Sequence, residues 1–176
     1  MIKYNKKKLL TVAVQLAGIA LLVGADLLIK KIVLDNIDLY EKVDFIEGLY
    51  GWTYIQNTGV AWGMLDGNPA LLSVVTGVII VIGLIYIAGP FRRPLAYDIF
   101  IPMIIAGGLA NMLDRVMRGF VVDYIETLFI DFPVYNFADC LVCVGAFALV
   151  FYLIYEIIRD MRAEKLNKQD GATHNE

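Results

Sequence analysis

The polar residues of this chain are mostly carboxylates and carboxamides. Asp26, Asn57, Asn111, Asp114, Asp123, Asn136 and Asp139 stand out, with Lys30 and Arg115 beside some of them. Two acids held close cannot both ionise easily, so such a pair shares a proton near neutral pH and offers a general base and a general acid together. Other hydrolytic chemistries lack their residues. The one histidine, His174, lies in the polar tail, which removes HExxH-type zinc hydrolysis and Ser/His or Cys/His nucleophiles. The one serine, Ser73, opens an apolar run, and Cys140 and Cys143 form C-x2-C with no second pair to complete a four-ligand zinc site. Those cysteines are expected to serve helix packing.

The elements that must position these groups follow from composition. The chain has 176 residues, 59% of them hydrophobic, with a mean hydropathy of +0.67 and a net charge of -3. A soluble enzyme has a lower apolar content. Charge avoids long stretches, such as Gly67 to Phe91 and Cys140 to Tyr155, and a membrane-spanning helix needs about 20 mostly apolar residues. Four such helices are expected, over about 9–34, 70–88, 95–113 and 138–158, in a single membrane domain over 1–165 followed by a polar, disordered tail over 166–176. Leu9 to Ala25 follows a basic start, as a signal peptide does, but its apolar run continues through Leu34 and is too long for one, so helix 1 is read as retained.

Lys and Arg set the orientation, because positive loops stay in the cytoplasm. Ten of them (Lys3, Lys6, Lys7, Lys8, Arg92, Arg93, Arg159, Arg162, Lys165 and Lys168) fall on the termini and the helix 2–3 connection, whereas Lys42, Arg115 and Arg118 fall on the other side. Both termini are therefore expected in the cytoplasm, with 35–69 and 114–137 facing outward. The first outer segment contains Tyr50-Gly51-Trp52-Thr53-Tyr54-Ile55-Gln56, a β-favouring run expected to form short strands at the membrane surface, where Trp52 and Trp62 suit the interfacial belt.

In this topology the acids and amides gather at one depth, near the outer face, and ionisable groups there usually pair and mark function. Singly, each has a plainer role. Asp26 and Lys30 at i and i+4 form an intrahelical ion pair, Asn136 and Asp139 resemble an N-cap with an acid in the first turn, and Asp114 and Arg115 end helix 3. Asp123 is a loop acid, and Gly107-Gly108 permits close helix packing. At the inner face Asp98 and its flanking cations suggest anchoring and snorkelling. A transporter or proton channel would need polar groups near mid-membrane or an inverted repeat, and neither is visible. A scaffold has no need for so many outer-leaflet acids and amides.

Taken together, Asp26-x3-Lys30, Asn57-Thr-Gly59-Val-Ala61-Trp-Gly63, Gly107-Gly-x2-Asn111-x2-Asp114-Arg115, Gly119-Phe-Val-Val-Asp123-Tyr and Asn136-Phe-Ala-Asp139 closely resemble the lipoprotein signal peptidases, or signal peptidase II family, in order and across residues 26–139. The resemblance implies an all-α membrane protein of four transmembrane helices, with a small extracytoplasmic β-containing segment between helices 1 and 2. It further implies an aspartic endopeptidase that removes signal peptides from bacterial prolipoproteins, cutting before the diacylglyceryl-modified cysteine. Asp123 and Asp139 fall on the family's catalytic pair. Asp26, Lys30, Asn57, Gly59, Asn111, Asp114, Arg115 and Asn136 fall on its supporting, substrate-binding positions. The implied partners are lipidated prolipoproteins and membrane lipid, with no nucleic acid, metal or cofactor, in a monomer of the cytoplasmic membrane. Ala110, Tyr124 and Tyr135 depart from the usual glycine and phenylalanines at their positions.

In that chemistry the ionised acid takes a proton from water as it attacks the scissile carbonyl, and the protonated acid donates to the carbonyl oxygen. Asn57, Asn111 and Asn136 supply neutral hydrogen bonds, and Arg115 is expected to pair with Asp114 or Asp26.

Overall fold

The computed structural model describes residues 6–59, 68–90 and 93–173, with side chains as far as Lys165. Trp62, Arg92 and His174, together with the stretch from Val60 to Gly63, lie outside the described residues. Four helices and three strands follow in the order α1 (Lys6–Asn36), β1 (Lys42–Ile46), β2 (Tyr50–Asn57), α2 (Pro69–Ala88), α3 (Leu95–Arg118), β3 (Val121–Thr127) and α4 (Phe137–Thr173). Each helix contains a stretch long and apolar enough to cross a membrane. Their outer faces carry large apolar side chains in the open, such as Leu21 at 73%, Ile82 at 62% and Phe151 at 69% exposure, which water would penalise and lipid does not.

Local chemistry sets the helix ends. Proline opens α2, where its missing N–H costs nothing, and Gly89-Pro90 closes it. α3 runs past the expected end at residue 113 to Arg118 and stops at Gly119, whose positive φ of 83° lets its N–H cap Arg115 O at 3.0 Å. Asp114 and Arg115 therefore lie inside the helix, one turn before its end. α4 also outruns its expected end at 158 and continues to Thr173, because Arg, Met, Ala, Glu, Lys and Leu after Ile158 are good helix formers with no proline among them. The expectation of a disordered tail is corrected to that extent.

α3 forms the centre and packs on α1, α2 and α4, while α2 and α4 make at most a passing contact. Close approach depends on glycine. A Cβ at Gly107 would stand 2.3 Å from Ala138 O, and one at Gly145 would stand 2.9 Å from Ile104 Cγ1. The helical core comprises Ile19, Val23, Ile80, Ile105, Ala106, Ala110 and Leu141 among others.

The three strands form one antiparallel sheet in the order β1-β2-β3. The sequence placed strands only between helices 1 and 2. The third comes from the α3–α4 connection and pairs Asp123 with Ile55 and Val121 with Asn57. Val33, Tyr54, Val122 and Tyr124 form a second core that binds the sheet to the end of α1, and Trp52 stacks on Tyr124 at 5.7 Å instead of serving only as an interfacial anchor.

The opposite end of the bundle is tied by a polar knot. Arg93 pairs with Asp98 at 2.6 Å and donates to Ile87 O at 2.9 Å, while Gln15 donates to Asp98 Oδ1 at 2.9 Å and to its carbonyl at 3.0 Å. Lys8 reaches the same Ile87 carbonyl at 2.9 Å. Arg93 thus caps the last turn of α2, where the helix dipole favours a cation. The snorkelling expected for Asp98 and its cations is replaced by a joint linking α1, α2 and α3.

Candidate active site

Asp123 is nearly fully buried on β3, where antiparallel pairing with β2 sets its backbone opposite Ile55, next to a break in register between Trp52 and Ile55. Its Oδ2 accepts from Asn57 Nδ2 at 2.7 Å and its Oδ1 from Asn136 Nδ2 at 2.6 Å. Asp139 stands in the first turn of α4. Its Oδ2 accepts from the Asn136 N–H at 3.0 Å, and its own N–H donates to Asn136 Oδ1 at 2.9 Å, a reciprocal capping pair. The N-cap expected from the spacing is therefore present, but it leaves Asp139 Oδ1 to accept from Asn111 Nδ2 at 2.7 Å. Asn136 holds both acids, one through its side chain and the other through its backbone.

Behind them lies a charged layer. Lys30 stands 2.8 Å from Asp26 Oδ2 and 2.9 Å from Asp114 Oδ2, with all three side chains buried. Asp26 Oδ1 accepts from the Ala138 N–H at 3.0 Å, and Asp114 accepts from the Val122 N–H at 3.2 Å and from Arg118 Nε at 3.0 Å. The Asp26–Lys30 pair expected on one helix is thus one side of a larger cluster that joins α1, α3, β3 and the start of α4. Arg115 does not pair with Asp114 or Asp26. It extends over the cavity and donates to Gly59 O at 3.1 Å, while the Gly59 N–H donates to Asn57 Oδ1 at 2.9 Å.

All ten residues singled out in the sequence meet at this end of the bundle. The sequence reading missed Arg118, which balances Asp114, and Tyr124, whose hydroxyl accepts from the otherwise orphaned Phe137 N–H at 3.1 Å. It also misjudged the cysteines: Cys140 and Cys143 line the cavity, and Cys143 is exposed instead of packed. Nothing in a C-x2-C spacing says which way a helix faces.

The cavity measures about 740 Å³. Asn57, Asn111, Arg115, Asp123 and Asp139 line its polar end, and Leu72, Ile79, Ile104, Val142, Phe129 and Ile130 contribute to its apolar walls. Removal from water, reinforced by the neighbouring Asp139 charge, pushes the Asp123 carboxyl up to about 7, against the opposing pull of the Asn57 and Asn136 hydrogen bonds. Between this site and the Gln15–Arg93–Asp98 knot lie the apolar Ile19, Val23, Ile105 and Ala106, so the described core offers no polar path from end to end.

Comparison with known proteins places the chain. The family model for signal peptidase (SPase) II matches residues 18–155. This chain belongs to the signal peptidase II family. The lipoprotein signal peptidase of Enterococcus faecalis is 35% identical over 137 residues, covering 78% of this chain and 85% of that relative. That of Lactococcus lactis subsp. lactis is 36% identical over 148 residues, covering 84% and 95%. A bacterial membrane enzyme solved by the in meso method at 2.3 Å resolution superposes with a TM-score of 0.77 at 26% identity, covering 82% of this chain and 90% of that one. A second, at 1.9 Å resolution, gives 0.72 at 26% identity, covering 80% and 92%. As a signal peptidase II the chain is a peptidase, and its four apolar helices make it a multi-pass membrane protein.

Proposed function

We propose that this protein removes signal peptides from bacterial prolipoproteins, cutting just before the diacylglyceryl-modified cysteine, with Asp123 and Asp139 as the catalytic pair. The observation that carries this reading is the suspension of both carboxyls from Asn136 at the polar end of one apolar cavity. A water held between the acids loses a proton to the ionised one as its oxygen bonds to the scissile carbonyl carbon. The protonated acid gives its proton to the carbonyl oxygen. The resulting diol intermediate collapses as the amine leaves with a proton from one acid while one hydroxyl of the intermediate returns its proton to the other, restoring the singly protonated pair. The two titrate as a unit, so the proton belongs to the pair. Asp26, Lys30, Asn57, Gly59, Asn111, Asp114, Arg115 and Asn136 support them, and no metal or cofactor takes part.

The lysine and arginine distribution supports an orientation with both termini in the cytoplasm and the sheet at the outer face of the membrane, where the cleavage point of a spanning signal peptide emerges. The separation of α2 from α4 gives an apolar substrate a lateral route from lipid to the acids, past Leu72 and Ile79 on one side and Cys143 on the other. Acyl chains keep their lipid surroundings on that route while the peptide bond reaches the polar end. The protein acts as a monomer.

Purified protein mixed with a diacylglyceryl-modified prolipoprotein and with its unmodified form tests the reading on one gel. Cleavage of the lipidated form alone is expected. No cleavage of either form, or cleavage of both at equal rates, would refute the activity or its lipid requirement, respectively.

A further inference from the structure

Lys30 has a role that its ion pairs do not explain. Its buried ammonium lies against two carboxylates, but it also donates a hydrogen bond to Asn111 Oδ1 at 2.9 Å. A carboxamide has one acceptor end and one donor end. With its oxygen held by an ammonium, Asn111 must turn its Nδ2 the other way, and there it donates to Asp139 Oδ1 at 2.7 Å. The reversed amide would set NH2 against the ammonium and oxygen against oxygen at Asp139, two repulsive contacts out of water, where unmatched polar groups are most costly.

The order set at Asn111 passes on. The same Oδ1 also accepts from Asn136 Nδ2 at 3.1 Å, and that Nδ2 donates to Asp123 Oδ1 at 2.6 Å. One charge therefore fixes the donor and acceptor sense of two amides, and each amide faces one of the acids. Asp26 and Asp114 balance Lys30 and Arg118, so this layer brings no net charge to the pair in front of it.

We infer that Lys30 is a positioning residue for peptide-bond hydrolysis. By holding the amide of Asn111 in one sense it sets the hydrogen-bond order of the Asn111–Asn136 pair, and with it the direction in which Asp123 and Asp139 present their free lone pairs to the cavity. This rests on the reading of those two aspartates as the reacting pair.

Lys30→Met alone would leave Asp26 and Asp114 buried with too little positive charge and threaten folding. The test therefore joins it to Asp26→Asn, which removes one charge of each sign and keeps an acceptor for the Ala138 N–H. With a diacylglyceryl-modified prolipoprotein in detergent, the double variant is expected to keep its KM while kcat falls by about 100-fold, the scale of a small misplacement of reacting groups. A folded double variant with kcat within about threefold of the parent overturns the inference. Failure of the parent itself to cleave overturns the functional reading instead. If the double variant does not fold, Asn111→Asp decides. It replaces the donor facing Asp139 by a carboxylate, and a further acid against Asp139 makes the pair harder to ionise, so its pH–kcat profile is expected to move to higher pH. A profile of unchanged position overturns the inference.

Discussion

Asn136 donates to Asp123 at 2.6 Å across the gap between α4 and β3, the shorter of the two hydrogen bonds that hold that carboxylate. The bond joins a helix N-cap to a β-strand, so the geometry of the acid pair depends on the packing of the sheet against the helices. Loosening either element separates Asp123 from Asp139 without touching a carboxyl group.

The burial of Asp123 gives a pH signature. Its carboxyl stands at about 7, above the ordinary value of 3.8. An acid raised by folding contributes stability that is fully present below its unfolded value and lost as pH rises through the folded one. The thermal midpoint of the parent in detergent is therefore expected to decline between about pH 4 and 7 and to remain depressed above that. In Asp123→Asn that part of the decline should vanish, so its midpoint should fall less between about pH 4 and 8 than the parent's. Parallel profiles for the two proteins would show that Asp123 does not titrate in this range.

Tyr124 gives a prediction about stability. Its hydroxyl accepts from the Phe137 N–H at 3.1 Å, one of the helix N-terminal donors that α4 cannot satisfy internally. Tyr124→Phe keeps the stack on Trp52 but leaves that donor unpaired, and is expected to cost about 1 kcal/mol of stability. Chemical denaturation in mixed micelles measures it. An unchanged midpoint would mean that water replaces the hydroxyl.

Much of this was legible in the sequence because lipid-spanning helices leave few places for charge, so Asp26, Lys30, Asn111 and Asp139 stood out against apolar surroundings. Less visible was what depends on direction. Val121 to Ile125 reads as a strand once its β-branched and aromatic residues are weighed, yet a seven-residue segment beside two helices gives little periodicity to work with. Arg115 and Arg118 lie one turn apart, and only the rotation of α3 determines that Arg118 reaches Asp114 while Arg115 reaches Gly59. The Arg93–Asp98 joint was hidden for a similar reason, since a cation beside a helix end looks the same whether it enters water or turns back to cap carbonyls.

The paired glycines of α3 separate packing from shape. A Cβ at Gly107 meets the Ala138 carbonyl at 2.3 Å, and backbone cannot yield without moving the first turn of α4 and Asp139 with it. Gly107→Ala is expected to abolish activity and lower expression. At Gly108 the nearest atom is Thr76 Cγ2 at 3.3 Å, a side chain at the edge of the cavity. Gly108→Ala should fold and raise KM for long signal peptides more than it changes kcat. Equal damage at both positions would contradict the assignment of Gly107 to the α3–α4 contact.

Orientation is open to direct labelling. In a background with Cys140 and Cys143 replaced, a cysteine at the exposed Glu47, between β1 and β2, should react with an impermeant maleimide on intact cells, and one at the exposed Arg162 of α4 should react only after lysis. The reverse pattern would place the acids on the cytoplasmic side, away from the emerging end of the substrate.

Isosteric change of the acids separates chemistry from scaffolding. Asp→Asn preserves shape and one acceptor but removes the capacity to share and deliver a proton. Asp123→Asn and Asp139→Asn should each lower cleavage by several orders of magnitude while insertion into the membrane persists. Because residues acting as a unit are strongly non-additive, the double variant should be scarcely worse than either single one. Asp139 also caps α4 through its bond with the Asn136 N–H at 3.0 Å, a role that an asparagine oxygen can retain. If folded Asp139→Asn cleaves at near the parental rate, its carboxyl is a helix cap alone, and Asp114 becomes the next acid to test as the partner of Asp123.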